Sequence, residues 1–283
     1  MSISREQFDA LTAAYYGESI MDSATKKQLE ESGYIKEDKP TEKGLSALEP
    51  FRVKSAVFLA AGLGSRLMPL TKDTPKPLIK VFGKSFIERL IEACLSAEIE
   101  KIYIVVGYLK EKFKPLKEKY SQIEFIENEK YDCSGTVYSV YRALDKFDNT
   151  YLLESDLLLY NPKLIKKYNY RSNALGIKID KTDDWCWTVN SEGRITYCQP
   201  GGENCYLFEG VVYFDKQSCS VLKQAVREVV ENIPEGEKKY LAQAVYTERL
   251  KDYYLEIREC SNKDIIEIDS FNELKEIDKS YDI

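Results

Sequence analysis

Arg66 and Lys76 stand in the segment LAAGLGSRLMPLTKDTPKPL, residues 59–78, which follows the short apolar run Ser55-Ala56-Val57-Phe58. Ala60, Ala61, Gly62 and Gly64 carry little or no side chain. Backbone N–H groups there can approach phosphate oxygens closely, and the two cations supply positive charge. Pro69, Pro75 and Pro77 stiffen the path between them. Such a loop can lie against a nucleoside triphosphate. The acids that would complement it end two apolar runs, Leu152-Leu153-Glu154-Ser155-Asp156 and Ile265-Ile266-Glu267-Ile268-Asp269. On an extended chain Glu154 and Asp156 point to one side, and the second run repeats the design. Asp156 and Asp269 are therefore the expected ligands of Mg²⁺, which takes one or two carboxylates together with phosphate oxygens and water.

Spacing excludes two familiar phosphate loops. Gly62-Leu63-Gly64-Ser65-Arg66 has no Lys in the register of a P-loop, and the third glycine of a dinucleotide fingerprint falls on Leu67. The chain has no histidine. That removes Ser-His-Asp and Cys-His catalysis, His-bearing zinc centres and imidazole proton shuttling. The seven cysteines are scattered and never spaced C-x-x-C, and are expected to be reduced thiols. Chemistry must then run on carboxylates, Lys, Arg, Tyr, Cys or a hard metal ion. Nucleotide transfer onto a phosphate monoester suits that inventory, since the attacking oxygen is already anionic near neutral pH (second pKa about 6) and needs no base.

Both tryptophans fall in Asp180-Lys181-Thr182-Asp183-Asp184-Trp185-Cys186-Trp187. Aromatic faces countered by carboxylates bind a quaternary ammonium, each cation–π contact giving about 0.5–2 kcal/mol. Trp185, directly after two acids, is the better ligand candidate, and Trp187 is either core or cage. Tyr240 and Tyr246 are candidates to complete the cage.

The elements that must position these groups form two regions. With 283 residues, 43% hydrophobic and 31% charged, the chain can bury a sizeable α/β domain and carry a small appendage. No apolar stretch approaches the roughly 20 residues that span a bilayer. The N-terminus lacks the apolar core of a secretory signal, so a cytoplasmic protein is expected. From Val53 on, strands at 56–60, 101–106, 124–127 and 150–154 alternate with helices at 85–97, 110–120 and 134–144. This predicts a Rossmann-like, mainly parallel sheet with its ligand site at the C-terminal strand ends. Beyond Asp156, strands at 176–178, 186–190, 194–198 and 210–214 predict an antiparallel region covering the site. Helices at 218–232 and 239–249 lead to a strand at 254–259.

Residues 1–52 read as a separate domain, with helices at 4–15 and 23–32 followed by an alternating stretch that resembles the end of a winged helix-turn-helix. They carry seven Lys and Arg against ten Asp and Glu. A DNA reader normally presents a basic face, so nucleic acid is not the expected partner. A packing or dimerisation module is, and with it a homodimer.

The pattern L-A-A-G-x-G-(S/T)-R-x-x-P-L-T-x-x-x-P-K-x-L resembles the signature of nucleotidyltransferases. Residues 53–283 resemble bacterial CTP:phosphocholine cytidylyltransferases in the order of further landmarks: Val106-Gly107-Tyr108, Asn128-Glu129-Lys130-Tyr131, Asp156, Asp184-Trp185, Gly210-Val211-Val212-Tyr213-Phe214 and Glu267-Ile268-Asp269-Ser270. Two departures stand out. Glu154-Ser155-Asp156 replaces Asp-x-Asp, and Asp132-Cys133-Ser134-Gly135-Thr136 replaces paired asparagines where cytosine and ribose contacts are expected. The resemblance implies a nucleotide site of Leu59, Ala60, Ala61, Gly62, Gly64, Ser65, Arg66, Gly107, Tyr131, Ser134, Gly135 and Thr136. It implies that Arg66 binds the β,γ-phosphates, that Lys76 bridges the α-phosphate and the incoming phosphate, and that Mg²⁺ sits on Asp156 and Asp269. Asp184, Trp185, Tyr240 and Glu267 would hold the trimethylammonium. CTP and phosphocholine are the implied substrates. Rival acceptors are 2-aminoethylphosphonate, phosphoethanolamine and a sugar 1-phosphate, and the rival of another class is a nucleotide-sensing DNA-binding regulator.

Overall fold

The computed structural model describes residues 3–282, which divide into two compact units. One takes the chain through Val53 together with Lys167–Tyr170; the other takes Lys54–Lys166 and the chain from Arg171 on. In the first, α1 (Arg5–Tyr16) opens on a capping box between Ser4 and Gln7 and stops at Gly17, whose φ of 71° is left-handed. Then come α2 (Ser23–Glu31), capped by Asp22, a minimal antiparallel hairpin of β1 (Ile35–Lys36) and β2 (Lys39–Pro40), and α3 (Glu42–Leu48). Leu11, Leu29, Ile35 and Leu48 bury against one another, and Phe8, Phe51 and Tyr170 pack ring on ring beside them.

The second unit is a mixed α/β layer built on β3 (Ser55–Ala60), whose near-continuous burial is that of a central strand covered on both faces. After the loop come a small hairpin of β4 (Lys80–Val81) and β5 (Lys84–Ser85), α4 (Phe86–Ser96), β6 (Lys101–Val106), α5 (Lys114–Lys119), β7 (Ile123–Glu127), α6 (Thr136–Arg142), β8 (Thr150–Glu154) and β9 (Leu157–Leu159). Then follow β10 (Asn173–Val189), β11 (Ile195–Phe214), α7 (Lys216–Asn232), β12 (Glu256–Cys260), β13 (Ile265–Glu267) and α8 (Phe271–Ile277). The main sheet runs β12-β10-β11-β8-β3-β6-β7, parallel except on the two sides of β11. α4 shows why such helices form: a Ser85–Glu88 capping box starts it, and Phe86, Ile87, Leu90, Ile91 and Cys94 make one buried face.

The region beyond Asp156 differs from expectation in two respects. The helix expected at 239–249 is instead a run of short helical segments, Gly236–Lys238, Ala242–Thr247 and Leu250–Asp252. The four short strands expected between 176 and 214 are two long ones, paired from Asn173↔Tyr213 through Val189↔Ile195. The charged stretch at 180–184, which falls between two of the expected strands, is ribbon, with Lys181 opposite Glu203. Among the described residues no helix is long and apolar enough to cross a membrane, and all seven cysteines are free thiols.

Candidate active site

The glycine-rich loop leaves β3 and folds into three short 3-10 turns, at Ser65–Leu67, Leu70–Lys72 and Lys76–Leu78. Gly64 is the pivot. Its φ is +61°, and a Cβ there would lie 2.9 Å from Lys76 Cβ and 3.1 Å from Thr71 Cγ2, so the two legs of the loop can close only on a glycine. Thr71 Oγ1 donates to Gly64 O at 3.0 Å, locking the legs together.

Arg66, Asp156, Glu267 and Asp269 lie within two residues of side chains of one apolar cluster. Leu67, Leu158 and Ile268 are fully buried together with Ile79, Val81, Phe86 and Leu274. Leu67 follows Arg66, Leu158 lies two residues after Asp156, and Ile268 separates Glu267 from Asp269. β13 pairs with β9 in the register Glu267↔Leu157, which brings the second acidic run beside the first. Asp269 is fixed further by its N–H, which donates to Glu273 Oε2 at 2.7 Å at the start of α8.

The result is a compact ionic centre. Lys76, only 9% exposed, donates to Asp156 Oδ2 at 2.7 Å and to Asp269 Oδ1 at 2.9 Å. Arg66 grips Asp269 with both terminal nitrogens at 2.7 Å while its side chain is 68% exposed. Burial works against the charge on Lys76, but Asp156 and Asp269 outweigh it and hold its pKa above the ordinary lysine value. Burial likewise opposes ionisation of Asp269, and Lys76 and Arg66 overcome it. Glu154 and Glu267 have no such partner: burial, then the neighbouring carboxylates, push both well above the usual range.

Oxygens of Glu154, Asp156 and Glu267 lie within 4.8 Å of one another, a set that could hold a metal ion. Asp156 Oδ1 is buried without a hydrogen-bond partner. Four carboxylates, Glu154, Asp156, Glu267 and Asp269, face two cations, so full ionisation leaves two negative charges for a divalent ion to balance. The all-oxygen donor set is that of a hard cation.

Two adjoining cavities open here. The first is lined by Leu59, Ala60, Ala61, Gly62, Gly64, Ser65, Arg66 and Lys76 of the loop with Thr136, Glu154, Asp156 and Tyr240. The second, about 550 Å³, shares Leu59, Arg66, Thr136, Glu154, Asp156 and Tyr240 and adds Asp184, Trp185, Phe208, Tyr246, Glu267 and Asp269. The tryptophans reach this place because the long hairpin bends back on itself. Its register slips between Thr182 and Trp185, so that Cys186 pairs with both Gln199 and Leu207, and Trp187 with both Cys198 and Tyr206. Trp187 thereby enters the core, fully buried, with ring centroids 5.2 Å from Phe208 and 5.3 Å from Tyr246. Trp185 stays on the cavity wall.

Of the residues expected from sequence, Gly107, Tyr131, Ser134 and Gly135 lie outside both linings. Sequence reasoning missed Glu209 on β11. It is buried, its Oε2 has no hydrogen-bond partner, and burial followed by the nearby Glu154 pushes its pKa to about 8. A lone acid in the apolar run Tyr206-Leu207-Phe208-Glu209-Gly210-Val211-Val212 was the available signal.

Comparison with known proteins agrees with this geometry. The nucleotidyl transferase family matches residues 55–179. The 2-aminoethylphosphonate cytidylyltransferase of Lancefieldella rimae is 33% identical over 230 residues, covering 80% of this chain and 93% of that protein. The choline-phosphate cytidylyltransferase of Haemophilus influenzae is 28% identical over 223 residues, covering 79% and 95%. Among solved structures, the CTP:phosphocholine cytidylyltransferase of Streptococcus pneumoniae matches with a TM-score of 0.74 at 30% identity, over 81% of this chain and 99% of that one. A loop for phosphates, an acidic centre and an α/β layer of this kind define a nucleotidyltransferase. Within that class the chain belongs to the cytidylyltransferase family.

Proposed function

We infer that the protein transfers the cytidylyl group of CTP to phosphocholine, releasing pyrophosphate and forming CDP-choline. The observation that carries this reading is the shared wall of the two cavities: a loop suited to phosphates adjoins a pocket bearing Asp184, Glu267, Trp185 and Tyr240, which suits an organic cation. Gly62, Gly64 and Ser65 cradle the triphosphate. Arg66 leaves Asp269 for the β- and γ-phosphates, and Lys76 reaches the α-phosphate and the incoming phosphate oxygen. Asp184 counters the trimethylammonium charge, with Glu267 lining the same pocket, while Trp185 and Tyr240 offer their ring faces. The acceptor phosphate attacks as an anion, so no side chain has to remove a proton.

Glu154, Asp156, Glu267 and Asp269 are the residues that would hold Mg²⁺. The orphaned Asp156 oxygen and the close set of carboxylate oxygens fit that ion. When bound it neutralises charge on the triphosphate.

A second reading is favoured by the similarity to the 2-aminoethylphosphonate enzyme. A primary ammonium would donate hydrogen bonds to Asp184 and Glu267 and depend less on the rings. A pyrophosphate-release assay crossing CTP, UTP, dTTP and ATP with phosphocholine, phosphoethanolamine, 2-aminoethylphosphonate and glucose 1-phosphate decides. Release only with CTP and phosphocholine is expected. A preference for 2-aminoethylphosphonate selects the second reading, and release only with the sugar phosphate removes both.

A further inference from the structure

The turn at residues 134–136 was expected to contact the nucleotide, yet its hydrogen-bonding groups are engaged elsewhere. The Gly135 N–H donates to Glu237 O at 2.8 Å, and the Val137 N–H to Lys239 O at 3.4 Å. Thr136 Oγ1 accepts from the Leu241 N–H at 2.8 Å. The approach is so close that a Cβ on Gly135 would sit 2.1 Å from Lys239 O. These contacts clasp the segment 237–241, the approach to the helical turns at Ala242–Thr247. Leu241 opens that helix, and first-turn amides have no intrahelical partner, so the Thr136 hydroxyl fills a real need. The Leu241 side chain is itself buried in the main core.

Tyr240 precedes Leu241 and is 65% exposed, at the edge common to both cavities. A side chain so exposed has little packing of its own to hold it. Its placement depends on the backbone behind it, which Leu241 anchors in the core and Thr136 anchors through the amide.

We propose that Thr136 is a positioning residue for the acceptor: by holding the Leu241 N–H it sets Tyr240 at the wall between nucleotide and acceptor. This rests on the reading of that wall as the ammonium site. It reassigns Thr136 from a nucleotide contact to a group acting through Tyr240, and it links the two substrates, since the turn that lines the nucleotide cavity also fixes the acceptor's aromatic face.

The test compares wild type with Thr136→Val, which keeps the shape and removes the hydroxyl, and Thr136→Ser, which keeps the hydroxyl. Two quantities are read: amide hydrogen exchange at Leu241, and the KM values for CTP and phosphocholine in pyrophosphate release. Thr136→Val is expected to speed exchange at Leu241 and raise the phosphocholine KM several-fold, bounded by the cation–π contact that a displaced Tyr240 would lose. The CTP KM should stay within about twofold, and Thr136→Ser should restore both exchange and the acceptor KM. A rise in the CTP KM with the phosphocholine KM unmoved makes Thr136 a nucleotide contact and overturns the proposal, as does unchanged exchange in Thr136→Val. If exchange speeds up but the wild type turns over no phosphorylated amine, the clasp is real, the functional reading has failed, and a role in placing the acceptor falls with it.

Discussion

Replacing Lys76 by Met keeps most of the side chain's volume and deletes its charge. Lys76 is 9% exposed and joins Asp156 at 2.7 Å to Asp269 at 2.9 Å, so the change leaves four carboxylates facing Arg66 alone. Removing one partner of a buried ion pair costs about 3–5 kcal/mol. Asp156 and Asp269 retain 22% and 29% exposure, and water reaching them offsets part of the loss. The expected destabilisation in chelator is about 2–3 kcal/mol. For a unit of this size each kcal/mol lowers the melting temperature by about 2–4 °C, giving a fall of about 5–10 °C. Excess Mg²⁺ should return part of it by meeting the freed carboxylates. Turnover of CTP should drop by at least about 100-fold, since a preorganised cation aimed at transferring phosphates is gone. Melting at matched scan rate with and without magnesium, together with pyrophosphate release, reads all three effects. A Lys76→Met protein that melts within 1–2 °C (roughly half a kcal/mol) of wild type in chelator and keeps near-normal turnover would refute the reasoning.

Three further outcomes follow from burial. Trp185→Ala should raise the acceptor KM several-fold, by about 0.5–2 kcal/mol of lost cation–π attraction, with only a modest loss of stability because Trp185 is partly buried against the core; Trp187→Ala should instead cost about 3–5 kcal/mol of stability as a core cavity, and denaturant titration of both separates wall from core. Ile268→Ala, in the apolar cluster between Glu267 and Asp269, should cost about 2–4 kcal/mol and also lower kcat/KM at temperatures where the protein stays folded; a stability loss with activity intact would detach that cluster from the site. Aromatic disulfide labelling of the native protein should modify the exposed Cys133 first and leave Cys94, Cys186, Cys198, Cys205 and Cys219 untouched until denaturant is added, because those five are buried. Rapid native modification of any of the five would contradict the packing of the sheet.

The glycine-rich loop was legible because its chemistry is local. Backbone access, two cations and three prolines all fall within residues 59–78, and Gly64 takes the left-handed conformation that such a tight pivot needs. The alternation of strands and helices up to Glu154 was legible for a related reason: central parallel strands are continuous apolar runs. Partnerships set by tertiary register were not. β9 and β13 are three residues each, too short for periodicity to announce, yet their pairing brings Glu267 to Asp156. The expected metal pair, Asp156 and Asp269, is bridged by Lys76, and the oxygens that approach one another are those of Glu154, Asp156 and Glu267. Both acids of each run were visible. Which of them a cation would claim depended on pairings many residues away. The back-folding of the long hairpin was equally hidden, because its polar middle shows no strand periodicity and only tertiary packing turns Trp187 inward.

The charge inventory carries an argument about how the site fills. Without nucleotide, Arg66 and Lys76 are held by Asp269 and Asp156, which keeps two cations fixed near one another instead of mutually repelling. On the proposed function a triphosphate would compete for the same cations. Once Arg66 and Lys76 turn to it, Asp156 and Asp269 lose their partners beside Glu154 and Glu267, whose ionisation burial and neighbouring charge already resist. Ionised acids next to a polyanion are costly in a partly buried site, so they must either stay protonated or meet a counter-ion. On the proposed reading, a divalent cation arriving with the nucleotide would take over the acids that Arg66 and Lys76 leave, which would couple the two binding events. On this logic the lysine and a metal ion would be alternative counter-charges for the same acids, and the half-buried Asp156 offers one oxygen to Lys76 while its other oxygen has no hydrogen-bond partner.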